Sequence, residues 1–568
     1  MKKQWQSKSK LAAAVLCCMA LTVSACSEGD SLPVSTTSTA TATPKTTAES
    51  VSATADTQTN KPGYVNEMDK TNIMTISINV DEAQWQEMLD NASEEEYIST
   101  DITINGTTIK NVGIRPKGNS SLRKVLDNDT TDRFSFKIKF DKYVEDQTWL
   151  GLDKIVINNM DADKSYLKEY ISYDIMSTIG VDAPLYAFAD IQVNGKAWGF
   201  YLAVEVLDSA YLDRTKEGEG ELYKPNNDGD MGQMGGFGGR APENGEASGN
   251  LQQPSDMQFP EGMRPPSDMQ LPEGMQPPSD MQFPNGDMGG RGFPGGMNGA
   301  QNGVSLAYSD DAISSYSAIF DNADTKTTEE DHQRIITALK HLNDGTDLDT
   351  YVDVDAVLKY FAAHTVVVNM DSYTSTMGHN YYLYEHDGQI SILPWDYNLA
   401  FGGFQGGTAG DVVNLAIDTP VSGVSLEDRP LLGKLLEVPE YKEKYHAYLQ
   451  QIMDGYFANG KFEQTVASLD QLISDYVKND PSSFTTFEAY KQAVVELTKL
   501  GTLRAESIQG QLNGEIPSTT EDQKADSGKL VDASSVDLSK LGDMGRGMPG
   551  GNRFGGGMRM GESPNTSG

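Results

Sequence analysis

Cysteine is nearly absent. The 568-residue chain has three, Cys17, Cys18 and Cys26, all within its first 26 positions. The remainder has neither a disulfide framework nor a thiol nucleophile, which excludes Cys-based zinc sites and cysteine proteases. Positive charge is scarce too: 45 Lys and Arg stand against 82 Asp and Glu, a formal net charge of -37. Such a surface repels phosphate backbones, which excludes nucleic-acid binding as a main function and favours divalent metals and Lys/Arg-rich proteins as partners. The six histidines form no HExxH, and no Gly-x-Ser-x-Gly elbow occurs, so zinc-protease and serine-hydrolase chemistry lack their parts. No apolar run approaches the roughly 20 residues that a membrane-spanning helix needs.

What is present begins with an address. Residues 1–10 are basic, 11–23 are apolar, and Val23-Ser-Ala-Cys26 closes the run. This is the pattern of a secretory leader, and Val-Ser-Ala-Cys is similar to a bacterial lipobox with Cys26 as the lipidated residue. An ordinary leader with an incidental Cys is the alternative. The expectation is an exported protein, anchored to the outer face of the cell membrane through lipid alone.

The rest divides by composition: a leader over 1–25, a Ser/Thr/Ala-rich flexible tether over 26–66, a β-rich lobe over 67–225, an insertion over 226–303, a helical lobe over 304–512 and a Gly/Met-rich tail over 513–568. In the first lobe, Asn105-Gly106 and Asn194-Gly195 read as hairpin turns, the second between strands at about 186–193 and 197–206. A helix is expected at 82–90 and another at 164–178, stopped by Gly180. The insertion carries a 12-residue unit three times, from Pro254, Pro266 and Pro278, too poor in apolar residues to offset ordering entropy. Insertion and tail are both expected to be disordered. The second lobe shows helical patterns at 327–343, 353–368, 430–456, 461–478 and 484–510. A hairpin at 381–385 and 390–394 turns through His386-Asp387-Gly388. The fold class expected is α+β, a β-rich N-lobe joined to a helical C-lobe.

Five constellations could carry chemistry. Arg115-Pro-Lys117-Gly118-Asn119-Ser120-Ser121 ends a strand with hydroxyls, amides and two cations suited to phosphate oxygens, or is a plain basic turn. In Ser135-Phe-Lys137-Ile-Lys139-Phe140 the aromatic and aliphatic residues face one side and both lysines the other, for phosphate or merely for solvent. Glu169, on the 164–178 helix, is a possible ion-pair partner for one of those lysines; the alternative is an exposed carboxylate. Asn369-Met-Asp371 with His379-Asn380, and Pro394-Trp-Asp396-Tyr-Asn, place Asp371, Asn380 and Asp396 where the hairpin could bring them together. Such oxygen ligands suit Mg²⁺ or Mn²⁺ held with phosphates, or serve as N-caps and turn formers.

Together, and in this order, these motifs resemble the CotH kinases, a family of atypical secreted relatives of protein kinases, over about 70–225 and 305–510. Gly199-Phe-Tyr-Leu-Ala-Val-Glu205 and Leu222-Tyr-Lys224 add to the resemblance. It implies a two-lobe, kinase-like fold and ATP-dependent phosphorylation of Ser-rich proteins. By resemblance Asp371 is the catalytic base and Asn380 and Asp396 are metal ligands. Arg115 to Ser121 is the loop over the phosphates, Lys137 or Lys139 is the phosphate-pairing lysine, and Glu205 and Lys224 lie near the nucleotide cleft. The chain departs from ordinary kinases in the Asp-to-Asn spacing, in lacking Phe-Gly directly after Asp396 and in lacking GxGxxG.

The reading is a surface-anchored kinase using ATP with Mg²⁺ or Mn²⁺ on Ser/Thr of a Ser-rich, basic protein, with autophosphorylation expected within 254–290. The rival is a kinase-like surface scaffold without turnover.

Overall fold

The computed structural model describes residues 62–226 and 303–542. The leader, nearly all of the tether, the repeat insertion and the last part of the tail lie outside the described residues, and Cys26 with them.

Order begins earlier than the expected boundary at 67. α1 (Tyr64–Glu67) is short, but Tyr64 and Met68 are buried. Then follow β1 (Met74–Asn79), α2 (Glu82–Asp90), β2 (Ile98–Ile104), β3 (Thr107–Lys117), α3 (Ser120–Leu126), β4 (Ser135–Lys139), β5 (Lys154–Asn158), α4 (Lys168–Thr178), β6 (Tyr186–Val193), β7 (Lys196–Glu205), α5 (Ser209–Thr215) and β8 (Glu221–Tyr223). Asn105 and Gly106, like Asn194 and Gly195, all have positive φ, as two-residue hairpin turns that match strand twist require. α2 starts where Asp81 accepts the N–H groups of Ala83 and Gln84, both at 3.0 Å.

The strands close into a barrel in the order β1-β2-β3-β4-β5-β7-β6. Every neighbouring pair is antiparallel except β1 with β6, where Met74 to Ile78 run parallel to Ala189 to Val193. Alternation then sorts the side chains. Ile114, Phe136, Ile138, Ile155 and Ile157 fill the interior. Lys117, Lys137, Val156 and Asn158 share the outer face, because Lys117 pairs with Ser135 and Lys137 with Val156.

The second half has α6 (Ser317–Phe320), α7 (Glu329–Asp344), α8 (Leu348–Tyr351), α9 (Val354–Val367), β9 (Tyr381–His386), β10 (Gln389–Pro394), α10 (Ala409–Val413), α11 (Pro430–Leu436), α12 (Pro439–Ile452), α13 (Lys461–Asn479), α14 (Phe487–Leu512) and α15 (Thr520–Ala525). α7 opens with a capping box, Thr328 and Asp331 each bonding the other's backbone N–H. The expected single helix over 430–456 is two, because Pro439 lacks the N–H that would continue α11. β8 crosses from the first half to pair with β9, giving a small sheet β10-β9-β8. The class is therefore α+β. The larger apolar core is continuous, running from Val156, Phe188, Phe200 and Leu202 on the barrel's outer face through α4 into the helices.

The expectation of disorder from 513 onward fails for 515–542. α15 lies there, and Ala533, Val536 and Leu541 are buried in the main core. Asn414 holds the segment by bonding both the N–H and the C=O of Val531, at 2.9 and 3.0 Å. The Gly/Met-rich composition that suggested disorder belongs to the residues after 542, outside the described residues.

Candidate active site

Two left-handed residues stand at the open end of the β9–β10 hairpin. Tyr381 pairs with Pro394 in register, so the residue entering β9, Asn380, and the residue shortly after β10, Asp396, are brought to one end. Their φ values are 55° and 61°. The left-handed region costs a non-glycine residue of order 1 kcal/mol, and Asn and Asp bear it best. α9 delivers the third group: it ends at Val368, also left-handed with φ 51°, and the chain turns through Asn369 to Asp371.

These three residues converge. Asn380 Nδ2 donates to Asp371 Oδ2 at 2.9 Å and to the Asp371 carbonyl at 3.0 Å. With that nitrogen engaged, the amide's other group is an oxygen, the kind of donor a hard cation takes. His379 Nε2 lies 2.6 Å from Asp371 Oδ1, so both oxygens of Asp371 have partners. Asn369 steadies the turn, accepting the Asp371 N–H at 3.3 Å and donating to the Asp396 carbonyl at 3.3 Å.

A third acid faces this group. Glu169, in the first turn of α4, is 3 % exposed, so the reading of an exposed helix carboxylate is overturned. Its oxygens accept from Asn158 Nδ2 at 3.3 and 3.1 Å, and Oε1 also from the Tyr173 hydroxyl at 3.1 Å. Asn158 passes the contact on, its Oδ1 accepting Lys117 Nζ at 3.2 Å. Burial foremost, and then repulsion from Asp396, push the Glu169 carboxyl up to about 7, against the pull of Asn158 and Lys117. Asp396 is raised for the same first reason; Lys117, Lys224 and His379 draw it down and Asp371 pushes it up. Four polar groups from the barrel, α4, the α9 turn and the hairpin thus hold two acids that repel one another.

Lys117 acts on both acids, drawing Glu169 and Asp396 down by its charge. Lys137 shares its face of the barrel, and Lys139, one step further, lies 4.0 Å from Asp141. Lys224 sits over Trp395 and Tyr382, 5.0 and 5.5 Å from the ring centres, which places its charge beside Asp396. Gly118 has φ 129°, and a Cβ there would meet Ser121 Oγ at 2.7 Å, so the loop needs glycine. Asn119 and Ser120 are exposed and Ser121 half-buried.

Two residues named from the sequence are engaged elsewhere. The Arg115 guanidinium is buried in an ion pair with Glu95 and bonds the Pro116 carbonyl at 3.0 Å, while Glu95 also accepts the Gly118 N–H at 3.2 Å. Arg115 therefore braces the loop from behind. Glu205 accepts from Tyr64 at 2.7 Å, Leu185 N–H at 2.8 Å, and Arg214 at 3.0 and 2.6 Å. Both oxygens are satisfied by the fold. Asn158, Tyr173 and His379 were missed as site residues; only His379, next to Asn380, had a signal in the sequence.

Oxygen donors fit a hard divalent cation here. Among the described residues no group of three or more His, Cys, Asp and Glu gathers as a closed metal cage. Asp396 with the amide oxygen of Asn380 is instead the sparse set that Mg²⁺ uses when phosphates complete its shell, and a cation would relieve the repulsion between Asp396 and Glu169.

A barrel packed through α4 on helices, with acids and an amide meeting at a hairpin mouth, is the setting in which the family comparison falls. The CotH kinase protein family model matches residues 114–508, and the chain belongs to that family. Among curated proteins it is similar to the inner spore coat protein H of Bacillus subtilis (strain 168), 21 % identical over 385 residues, covering 65 % of this chain and 82 % of that protein. No helix among the described residues is long and apolar enough to cross a membrane.

Proposed function

We propose that this protein is an atypical, kinase-like phosphotransferase that moves the ATP γ-phosphate to Ser or Thr of a protein, with Mg²⁺ or Mn²⁺. The observation that carries the reading is the convergence of Asp371, Asn380 and Asp396 opposite Lys117. In the transfer, the substrate oxygen forms a bond to the γ-phosphorus, the bond to the ADP oxygen breaks, and the hydroxyl proton passes to Asp371. Asn380 and His379 fix the Asp371 carboxylate for that role. Asp396 and Asn380 would hold the cation, which when bound supplies neutralisation of phosphate charge. Lys117 adds a positive charge on the barrel side, and Glu169 and Asn158 orient it.

The fold is read accordingly as two kinase-like lobes, the barrel and the helical half. The relative's name places that protein in a spore coat, which agrees with an exported, surface location here, lipid-anchored through Cys26. Cys26→Ala should release the protein from the membrane fraction; unchanged membrane association counts against the anchor. The acidic surface favours a basic, Ser-rich substrate.

A second reading is a binding scaffold without turnover. It is favoured by the engagement of both Asp371 oxygens with His379 and Asn380. Labelled-phosphate transfer by the purified protein, with and without Mn²⁺, separates the two. Asp396→Asn and Asp371→Asn should each lower transfer on the order of 10²-fold, because positioning and electrostatics supply nearly all of this catalysis. Full transfer in both variants overturns the assignment.

A further inference from the structure

His364 lies behind the site, on α9, and touches both of the loops that carry its acids. The residue is 2 % exposed. Its Nδ1 is 2.9 Å from the Tyr397 hydroxyl, and Tyr397 directly follows Asp396. Its Nε2 is 3.1 Å from Ser372 Oγ and 3.0 Å from Thr374 Oγ1, and Ser372 directly follows Asp371. The ring stacks on Tyr360 at 5.4 Å and meets Tyr397 edge-on at 5.8 Å.

We propose that His364 is a positioning residue that ties the Asp371 loop to the Asp396 loop and so sets the separation of the two acids. Its bearing on turnover rests on the kinase reading above; the brace itself does not. The hydrogen-bond inventory supports it. Ser372 Oγ donates its one proton to the Asn369 carbonyl at 2.7 Å, so toward the imidazole it is an acceptor. Nε2–H donating to Ser372, with Tyr397 donating to Nδ1, gives each ring nitrogen a partner. That arrangement needs a neutral ring, and burial pushes the His364 pKa down to about 3. An imidazole with one donor and one acceptor on opposite edges can grip two loops at once; an apolar ring cannot. Elsewhere the same loops meet through backbone, Phe401 N–H to the Val367 carbonyl at 2.6 Å and Gly402 N–H to Val368 at 3.2 Å. These contacts lie at the far ends, and beside the acids His364 shares the link with one longer bond, Asn369 Nδ2 to the Asp396 carbonyl at 3.3 Å.

The test is amide hydrogen exchange on the full chain, with transfer kinetics alongside. His364→Phe keeps the ring and its stacking but breaks both grips. Exchange in 369–374 and 395–402 should rise together by about tenfold or more while α12 is unchanged, since buried polar groups are left unpaired. His364→Gln, which can still donate and accept, should recover part of the protection. Where transfer is measured, kcat should fall about tenfold or more with KM for ATP within about threefold, as expected for misplaced acids rather than lost binding. Tyr397→Phe cuts the Asp396-side grip alone and serves if His364→Phe does not fold; it should loosen 395–402. Unchanged exchange, or loosening of one loop only in His364→Phe, overturns the brace. A wild-type protein that transfers no phosphate overturns the kinase reading instead, and the exchange result still decides the brace.

Discussion

Glu169 and Asp396 meet across one hydroxyl. Tyr173 donates to Glu169 Oε1 at 3.1 Å and accepts the backbone N–H of Asp396 at 3.2 Å, so α4 and the hairpin mouth are joined at the point where their carboxylates repel. The arrangement stores unfavourable charge that a divalent cation would offset.

A pH dependence follows from it. The Glu169 carboxyl sits at about 7 in the folded protein, above its ordinary 4.5. Between those values the folded state holds a proton that the unfolded state has lost. Stability should therefore fall as pH rises from about 4.5 to 7 and level off above, with a loss on the order of 3 kcal/mol. Glu169→Gln should remove that slope and melt above the wild type at pH 8, and Mn²⁺ should raise the wild-type melting temperature there. Melts from pH 4.5 to 8 check it; parallel profiles for the two proteins refute it.

The limits of the sequence are instructive at particular positions. Asn105-Gly106, Asn194-Gly195 and the 381–394 hairpin were legible because a local rule fixes each one. Asp371, Asn380 and Asp396 were legible because a hairpin's ends must adjoin. The closure of β1 on β6 was not, since a parallel pairing of residues 74–78 with 189–193 leaves no local mark. Lys117 was read, by resemblance, as part of a loop that follows a strand, yet β3 runs through Pro116 to Lys117. That register, not composition, decides which lysine meets Asn158 and Glu169. Residues 516–542 hid their order because their apolar residues are sparse and follow neither helical nor strand spacing.

The lysines can be ranked by experiment. Lys117→Met should lower phosphate transfer by about 10²-fold, since it removes the cation that acts on both Glu169 and Asp396. Lys137→Met, on the same face, should cost less, and Lys139→Met should stay near wild type. Lys117→Met should also melt lower at pH 8, because the acids lose a compensating charge. A greater loss of transfer in Lys137→Met or Lys139→Met would transfer the role to that residue.

The insertion leaves and rejoins the fold beside the site. Lys224 N–H bonds the Asn322 carbonyl at 2.9 Å while its side chain lies by Trp395. On return, the Val304 and Ser305 carbonyls accept from Tyr381 at 2.7 Å and Tyr373 at 3.0 Å, both close in sequence to Asn380 and Asp371. Ser255, Ser267 and Ser279 belong to the segment that joins the fold at these two points, and a tethered group can reach effective concentrations in the millimolar range. Self-labelling should map to these serines and vanish on deletion of 229–303. Undiminished labelling of the deleted chain would make the segment a spacer.

The segment after α14 should matter to the site although it lies beyond the family match. Ile516 packs on Gly510, and Leu541 is 1 % exposed. At its end the Gly542 carbonyl accepts from Lys168 Nζ at 3.1 Å, and the Leu541 carbonyl accepts the Lys164 N–H at 3.1 Å. Lys168 is fully buried and immediately precedes Glu169; its ammonium also donates to the Ala162 carbonyl at 3.3 Å. Ending the chain after Gly514 would strip apolar cover from the core and leave a buried ammonium short of an acceptor at the foot of α4. The melting temperature should drop on the order of 10 °C, and transfer should fall further than the melt explains, because Glu169 loses its anchor. A chain ending after Gly542 should match the full-length protein in both respects. If the chain ending after Gly514 melts and transfers like the full length, the segment is no part of the site's support.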